Sequence, residues 1–199
     1  PVGESTVVTW IIKAALTIIS ILLVRNLKAE NPGKKQLALE AGIGFLQDFF
    51  TDILGERGKR YVPYLITVAI YIGVANLIGL LGFKPPTKDL NVTAGLAIMS
   101  ICLIEYSGFR QKGLKGFVHS FAEPMAIVTP INIMEIAIRP VSLCMRLFGN
   151  VIGAFVVMEL IKMIIPVAIP VPLSLYFDIF DGLIQAYVFV FLTSLFIKE

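Results

Sequence analysis

The chain has 199 residues, of which 57% are hydrophobic and 16% charged, and its mean hydropathy is +0.85. These values exclude a soluble protein and predict an all-α integral membrane protein of about five membrane helices, with residues 1–199 forming a single membrane domain. The net charge of +3 is small and concentrated in loops, so it indicates membrane topology and excludes nucleic acid as a partner.

The amino-terminal part predicts one membrane helix followed by a helix that does not cross the bilayer. Residues 7–24 form an apolar run long enough to span, and residues 36–54 mix acidic and apolar side chains at helical spacing. Basic residues cluster at 25–35 and 57–60. The positive-inside rule therefore predicts a cytoplasmic connection carrying an amphipathic inner-surface helix, with the amino terminus outside.

Two more membrane helices follow in the middle of the chain, at residues 61–83 and 92–107. The loop between them holds a proline pair at positions 85 and 86, which predicts a sharp outer turn. Residues 109–116 are basic, so the second of these helices ends on the cytoplasmic side, in agreement with the first crossing.

The last third of the chain predicts a hairpin of two long membrane helices. Residues 117–165 and 172–197 are apolar, and the three prolines within 166–172 predict the turn between them. A hairpin that starts inside also ends inside, so the carboxyl terminus is predicted to be cytoplasmic.

The first hairpin helix carries a polar stripe within its apolar sequence. Its members follow each other at steps of three or four residues, which places them on one helix face: Glu135, Arg139, Ser142, Arg146, Asn150 and Gly153. An arginine at the centre of a membrane helix costs about 2.5 to 3.5 kcal/mol on insertion scales, so Arg146 predicts a functional role. Gly149 and Gly153 form a small-xxx-small pattern that lets another helix approach.

The second hairpin helix repeats the pattern with Ser174, Asp178, Asp181 and Gln185 at steps of four, three and four. Two interpretations of these acids remain open at this point. In one, Arg146 pairs with Asp178 or Asp181 and only holds the hairpin together. In the other, these charged groups line a path for ions.

Several segments also match a known family: "PINIMEIAIRPVSLCMRLFGN" at 130–150, "GLIQAYVFVFLT" at 182–193, "NLIGLLGF" at 76–83, "LNVTAGLA" at 90–97 and "GLKGF" at 113–117. On these residues the chain resembles subunit a of the F-type ATP synthase. The resemblance implies the stator subunit of a rotary motor, with two offset half channels that carry protons or sodium ions to and from a ring of c subunits. It also implies contact with the b subunits of the peripheral stalk, a strongly tilted hairpin, and no cofactor.

The resemblance further assigns roles to three residues. It implies that Arg146 is the essential stator arginine between the half channels, that Asn150 is the polar residue one turn later, and that Gln185 faces the arginine from the last helix. The sequence departs from one version of the family, which has a glutamate nine residues after the arginine and a histidine seven residues before the glutamine. Phe155 and Asp178 stand at these positions.

The departure leads us to expect that Asp178, together with Asp181, supplies the ionisable group of the outer access path. If these two aspartates are structural, the remaining polar groups in membrane segments are the next candidates: Asn76, Glu105 and Glu159.

Other functions find less support in the sequence. The neighbours His119 and Ser120 lie in a predicted cytoplasmic loop without a third catalytic partner, so we expect neither a protease nor any other catalytic site on this chain. No set of residues has the spacing of a metal site. An independent secondary transporter or ion channel is the alternative. A chain of this length with short loops is typical of a bacterial plasma membrane.

Overall fold

The computed structural model describes residues 3–27, 29–122, 126–165 and 168–198, with the side chains of all of these except Arg57, Phe121, Ala122 and Ala126. Within these ranges the chain forms six helices and no β-strand: α1 Glu4–Val24, α2 Lys34–Leu54, α3 Val62–Leu77, α4 Leu90–Ala122, α5 Thr129–Ile164 and α6 Pro170–Lys198. Short 3₁₀ turns precede α3 and α5 and follow α3. The predicted all-α class is confirmed.

Five of these helices are long and apolar enough to cross a membrane, namely α1, α3 with its flanking turns, α4, α5 and α6. The sixth helix, α2, packs against α3 and α6 and buries Phe50 and Leu54. The predicted set of five membrane helices and one amphipathic helix is therefore present. The 36 residues of α5 make it about 54 Å long, which exceeds the roughly 30 Å hydrocarbon core of a bilayer.

The centre of the bundle is the contact between α3 and α6, where Leu65, Ile72 and Val190 are fully buried. Helix α4 packs beside them against α5 and α6. Its contact face carries small polar residues two turns apart, Thr93, Ser100 and Ser107, all fully buried. Because small side chains let helix backbones approach closely, this face suits packing within a membrane.

The observed helix bounds correct two expectations for the carboxyl-terminal part. Residues 117–122 do not start the hairpin but end α4, which bends at Gly113, where φ is +69°. The charges at 109–116 end the apolar run without ending the helix, since helical backbone groups are satisfied in water as well as in lipid. The first hairpin helix starts only at Thr129, with Pro130 in its first turn, where no backbone donor is needed.

The turn of the hairpin is also shorter than predicted. Pro170 and Pro172 lie in the first turn of α6 rather than in the connection, because proline fits a helix start as well as a loop. Residues 168 and 169 form a turn, and the remaining turn positions, 166 and 167, lie outside the described residues.

Candidate functional site

The middle of α5 presents a polar face that no other part of the described chain covers. Ser142, Arg146 and Asn150 are exposed there. On the same side, a Cβ atom added to Gly149 or Gly153 would meet nothing within 4 Å. An exposed arginine in a membrane helix requires contact with water or with another protein, and the two glycines leave room for a neighbouring helix.

Arg146 makes no ion pair with Asp178 or Asp181 in the part of the chain that the structure describes. The hydroxyl of Ser174 donates instead to Oδ2 of Asp178 at 2.9 Å. The interpretation of Arg146 as an internal clamp of the hairpin therefore finds no support, and its guanidinium is available to a group outside this chain.

The other end of the polar stripe has a different environment. Arg139 is largely buried and donates to the carboxylate of Glu135 at 3.3 Å, and its guanidinium lies 5.0 Å from the ring centroid of Phe196 in α6. These three residues and Glu105 of α4 line a cavity of about 290 Å³, here called the Glu105 cavity. Two acids and one arginine thus meet where α4, α5 and α6 come together.

The two aspartates of α6 lie in a local distortion that the sequence did not predict. Residues Tyr176–Asp181 form a π-helical turn between two α-helical segments. Asp178 packs against the backbone at Gly79, where an added Cβ would lie 3.1 Å from Oδ1 of the carboxylate. Single π turns inside α-helices are frequent at functional sites because they change which residues face a neighbour.

A buried joint holds this π turn against α3 and the following loop. The side-chain amide of Asn76 donates to the carbonyl oxygen of Gly182 at 2.9 Å, and the Thr87 hydroxyl donates to Oδ1 of Asn76 at 2.8 Å. A Cβ on Gly182 would lie only 2.9 Å from the Cβ of Asn76. The glycine is therefore needed for the close approach of the two helices.

Asn76, Asp178 and Asp181 line one cavity, also of about 290 Å³, here called the Asp178 cavity. Its other walls are the loop at 82–88 and the α5 residues from Val151 to Lys162. Asp181 makes no hydrogen bond or ion pair to any other described residue, so its carboxylate is free to contact water in this cavity.

Arg146 lies between the two cavities without lining either of them. On α5 it follows Arg139 of the Glu105 cavity by seven residues and precedes Val151 of the Asp178 cavity by five, or about 10 Å and about 8 Å along the helix. Gln185, which is 8% exposed, lies between the two cavities along α6.

The structure also places the remaining sequence candidates. Glu159 pairs with Lys162 at 3.1 Å near the Asp178 cavity. Sequence reasoning missed the contribution of Lys88, whose ammonium lies 3.8 Å from the centroid of the Phe155 ring at the wall of that cavity. A signal for it is present in "PPTK" at 85–88, because a lysine two residues after a pair of prolines is carried by a backbone with restricted conformations.

Comparison with known proteins settles the family. The sequence profile of the ATP synthase A chain matches residues 6–198. The chain belongs to the ATP synthase subunit a family. It is 37% identical over 200 residues to ATP synthase subunit a of Moorella thermoacetica, covering 100% of this chain and 91% of that protein. It is 33% identical over 214 residues to the sodium-ion-specific ATP synthase subunit a of Propionigenium modestum, covering 100% of this chain and 74% of that one.

A third relative, ATP synthase subunit a 2 of a Bradyrhizobium strain, is 35% identical over 98% of this chain and 87% of its own length. Membership in the subunit a family and the five apolar helices show a multi-pass membrane protein of the Fo sector. The chain takes part in ion transport linked to ATP synthesis.

Proposed function

We propose that this member of the subunit a family provides two offset aqueous half channels to a ring of c subunits, with Arg146 as the barrier between them. The main support is the arrangement of the site: two separate cavities lined by carboxylates, and between them an exposed arginine that makes no hydrogen bond or ion pair with any other described residue. Each of the two cavities gives access from a different side of the membrane.

The charge of the loops supports an assignment of sides. The Asp178 cavity is walled by residues 82–88, which the positive-inside rule places outside, and the Glu105 cavity includes Lys112 from the basic cytoplasmic segment. The Asp178 cavity is then the outer access path and the Glu105 cavity the inner one. The amino terminus lies outside and the carboxyl terminus in the cytoplasm of a bacterium, with residues 1–199 acting as one membrane domain in its plasma membrane.

The chemistry of arginine explains its role at this position. An arginine guanidinium stays protonated in proteins, so Arg146 does not hand a proton across. It attracts the deprotonated carboxylate of a passing c subunit. That carboxylate therefore carries no cation between the two paths, which prevents ions from leaking directly from one path to the other. Each unit charge that crosses about 150 mV supplies about 3.5 kcal/mol to rotation.

The exposed face of α5 fits the ring, because Gly149 and Gly153 leave the backbone open to a neighbouring helix. Asn150 lies on this face one turn from Arg146, and Gln185 lies on α6 between the residues that line the two cavities. The b subunits of the peripheral stalk are the second partner that the family implies. The coupled ion is H⁺ or Na⁺, since the ion-binding carboxylate belongs to the c subunit.

The test is ATP-driven ion pumping by the purified complex in liposomes. Arg146→Ala should abolish pumping, and Arg146→Lys should leave at most about one tenth, because an ammonium lacks the planar fork and is more strongly hydrated. Arg110→Ala is the matched control and should leave pumping unchanged, since the one hydrogen bond of Arg110 to a described residue is to Tyr106 on its own helix. Normal pumping by an assembled Arg146→Ala complex would refute the proposal.

A further inference from the structure

Lys88 occupies a defined position at the wall of the Asp178 cavity. It ends the 3₁₀ turn Pro86–Lys88, and its ammonium lies 3.8 Å from the centroid of the Phe155 ring. Both Lys88 and Phe155 line the cavity into which Asp178 and Asp181 project. An ammonium over an aromatic ring is held by attraction to the ring quadrupole.

The backbone under Lys88 is anchored by buried groups. Thr87 is fully buried and bonded to Asn76, and the amide of Lys88 donates to the carbonyl oxygen of Pro85 at 3.1 Å. The two prolines at 85 and 86 further restrict this turn. A lysine on such a base keeps its charge near one place, unlike a lysine on a flexible loop.

Lys88 differs from the other two lysines that line the cavity, because each of those has an ion-pair partner. Lys84 of the same loop pairs with Glu4 at 3.1 Å, and Lys162 of α5 pairs with Glu159 at 3.1 Å. Among the described residues no carboxylate lies within 4 Å of the Lys88 ammonium. Its positive charge is therefore not neutralised by an ion pair of its own.

The remaining charged groups facing Lys88 lie on α6. Asp178 attracts the ammonium across the cavity, and Asp181 lines the same space. Burial lowers the pKa of Lys88, and the Asp178 carboxylate opposes this lowering. Lys88 and Asp178 thus influence each other although they do not touch.

We infer that Lys88 is a positioning residue of the outer access path, whose fixed positive charge weakens the hold of Asp178 on the coupled cation. This inference rests on the proposed function. A carboxylate facing a nearby positive charge binds either H⁺ or Na⁺ less tightly, so the cation is passed on to the ring instead of being retained. Loss of the Lys88 charge is therefore expected to strengthen cation binding at Asp178 whether the ion is H⁺ or Na⁺.

The experiment measures ATP synthesis by the complex in liposomes as a function of the external cation, with pH varied at fixed Na⁺ and Na⁺ varied at fixed pH. Lys88→Gln should lower the external concentration of the coupled cation at half-maximal rate by about threefold or more, which is an upward shift of about half a pH unit for protons. Lys88→Arg, which keeps the charge, should retain the parental dependence.

Two further variants separate charge from packing. Phe155→Leu should cause a smaller shift in the same direction, because the ammonium loses its aromatic support but not its charge. Lys84→Gln removes an equal charge from the same cavity wall, but the Lys84 side chain is 77% exposed and paired with Glu4, so a clearly smaller shift than that of Lys88→Gln is expected.

The inference is wrong if the Lys88→Gln and parental curves coincide, or if Lys88→Arg shifts the curve as far as Lys88→Gln. Failure of the proposed function has a different signature, because Arg146→Ala complexes prepared in parallel would then still pump ions. The two statements are therefore tested by different variants in the same preparation.

Discussion

The Asp178 cavity and the Glu105 cavity have the same volume, about 290 Å³, but different walls. The Asp178 cavity is bounded by close backbone contacts at Gly79 and Gly182 and by the buried side chain of Asn76. The Glu105 cavity is bounded by the long side chain of Arg139, which reaches Glu135 on its own helix and stacks near Phe196.

This difference indicates how each cavity keeps its shape. The backbones of Gly79 and Gly182 lie so close to the side chains of Asp178 and Asn76 that neither glycine has room for a methyl group, so this wall of the Asp178 cavity is expected to be rigid. A wall of long side chains can change rotamer without moving a helix, so the Glu105 cavity is expected to adapt more readily. On the proposed function, the rigid cavity faces outside and the adaptable one faces the cytoplasm.

The largest expected effect is the sidedness of chemical access to the two cavities. In a chain whose Cys102 and Cys144 are replaced by serine, a cysteine at Asp181 should react with silver ion only from outside, and one at Glu105 only from the cytoplasm. The thiolate is the reactive form of a cysteine and requires water. Ile18→Cys is the control, because Ile18 is an exposed side chain of α1 that should face lipid, and a cysteine there should stay unreactive. The measurement is loss of labelling by a fluorescent maleimide in oriented vesicles.

Each unexpected labelling pattern contradicts a specific statement. If both cavity cysteines react from the same side, the two cavities do not form separate paths. If each reacts from the side opposite to that expected, the orientation derived from the basic loops is reversed.

The second prediction compares backbone packing at two helical glycines. Gly182→Ala places a methyl group 2.9 Å from the Cβ of Asn76, so the two helices must separate, at a cost of about 1–3 kcal/mol in the free energy of unfolding. Gly44→Ala in α2 meets nothing within 4 Å and should stabilise the chain by about 0.5–1 kcal/mol through higher helix propensity. Denaturant titration in detergent measures both. Equal stability of the two variants would show that α3 and α6 have room for a methyl group between Gly182 and Asn76.

The helices could largely be predicted from the sequence because apolar runs of membrane length have few other solutions. The ends of these helices were harder to predict from the sequence. Hydropathy marks where a helix leaves the membrane, whereas α4 continues through its basic segment, bends within it at Gly113 and ends only at Ala122. Prolines likewise marked the end of α5 correctly, but Pro170 and Pro172 start a helix instead of forming the turn.

The candidate site could be predicted where it depends on regular helical periodicity. Spacing placed Arg146 and Asn150 on one face, and both are exposed on α5. Spacing does not predict the π turn at Tyr176–Asp181, which changes the helical register before Gln185, and Gln185 does not line the cavity that Asp178 and Asp181 share. No local sequence pattern predicts this π turn. It lies directly before Gly182, which makes a buried contact with Asn76 of α3.

The smallest expected effect separates the two aspartates of the Asp178 cavity. Asp178 is held by Ser174 and by the backbone at Gly79, whereas Asp181 has no partner among the described residues, so only Asp178 has a fixed orientation for receiving the cation. Asp178→Asn should slow ion translocation about tenfold or more and shift its pH dependence, and Asp181→Asn should slow it about twofold. Both complexes should retain the c ring, because neither residue lies on the exposed face of α5. Initial rates of ATP-driven pumping measure this difference. If both variants pump at the parental rate, the pair is structural, and the cation must enter along other polar groups of the cavity such as Asn76, or beside it near Glu159.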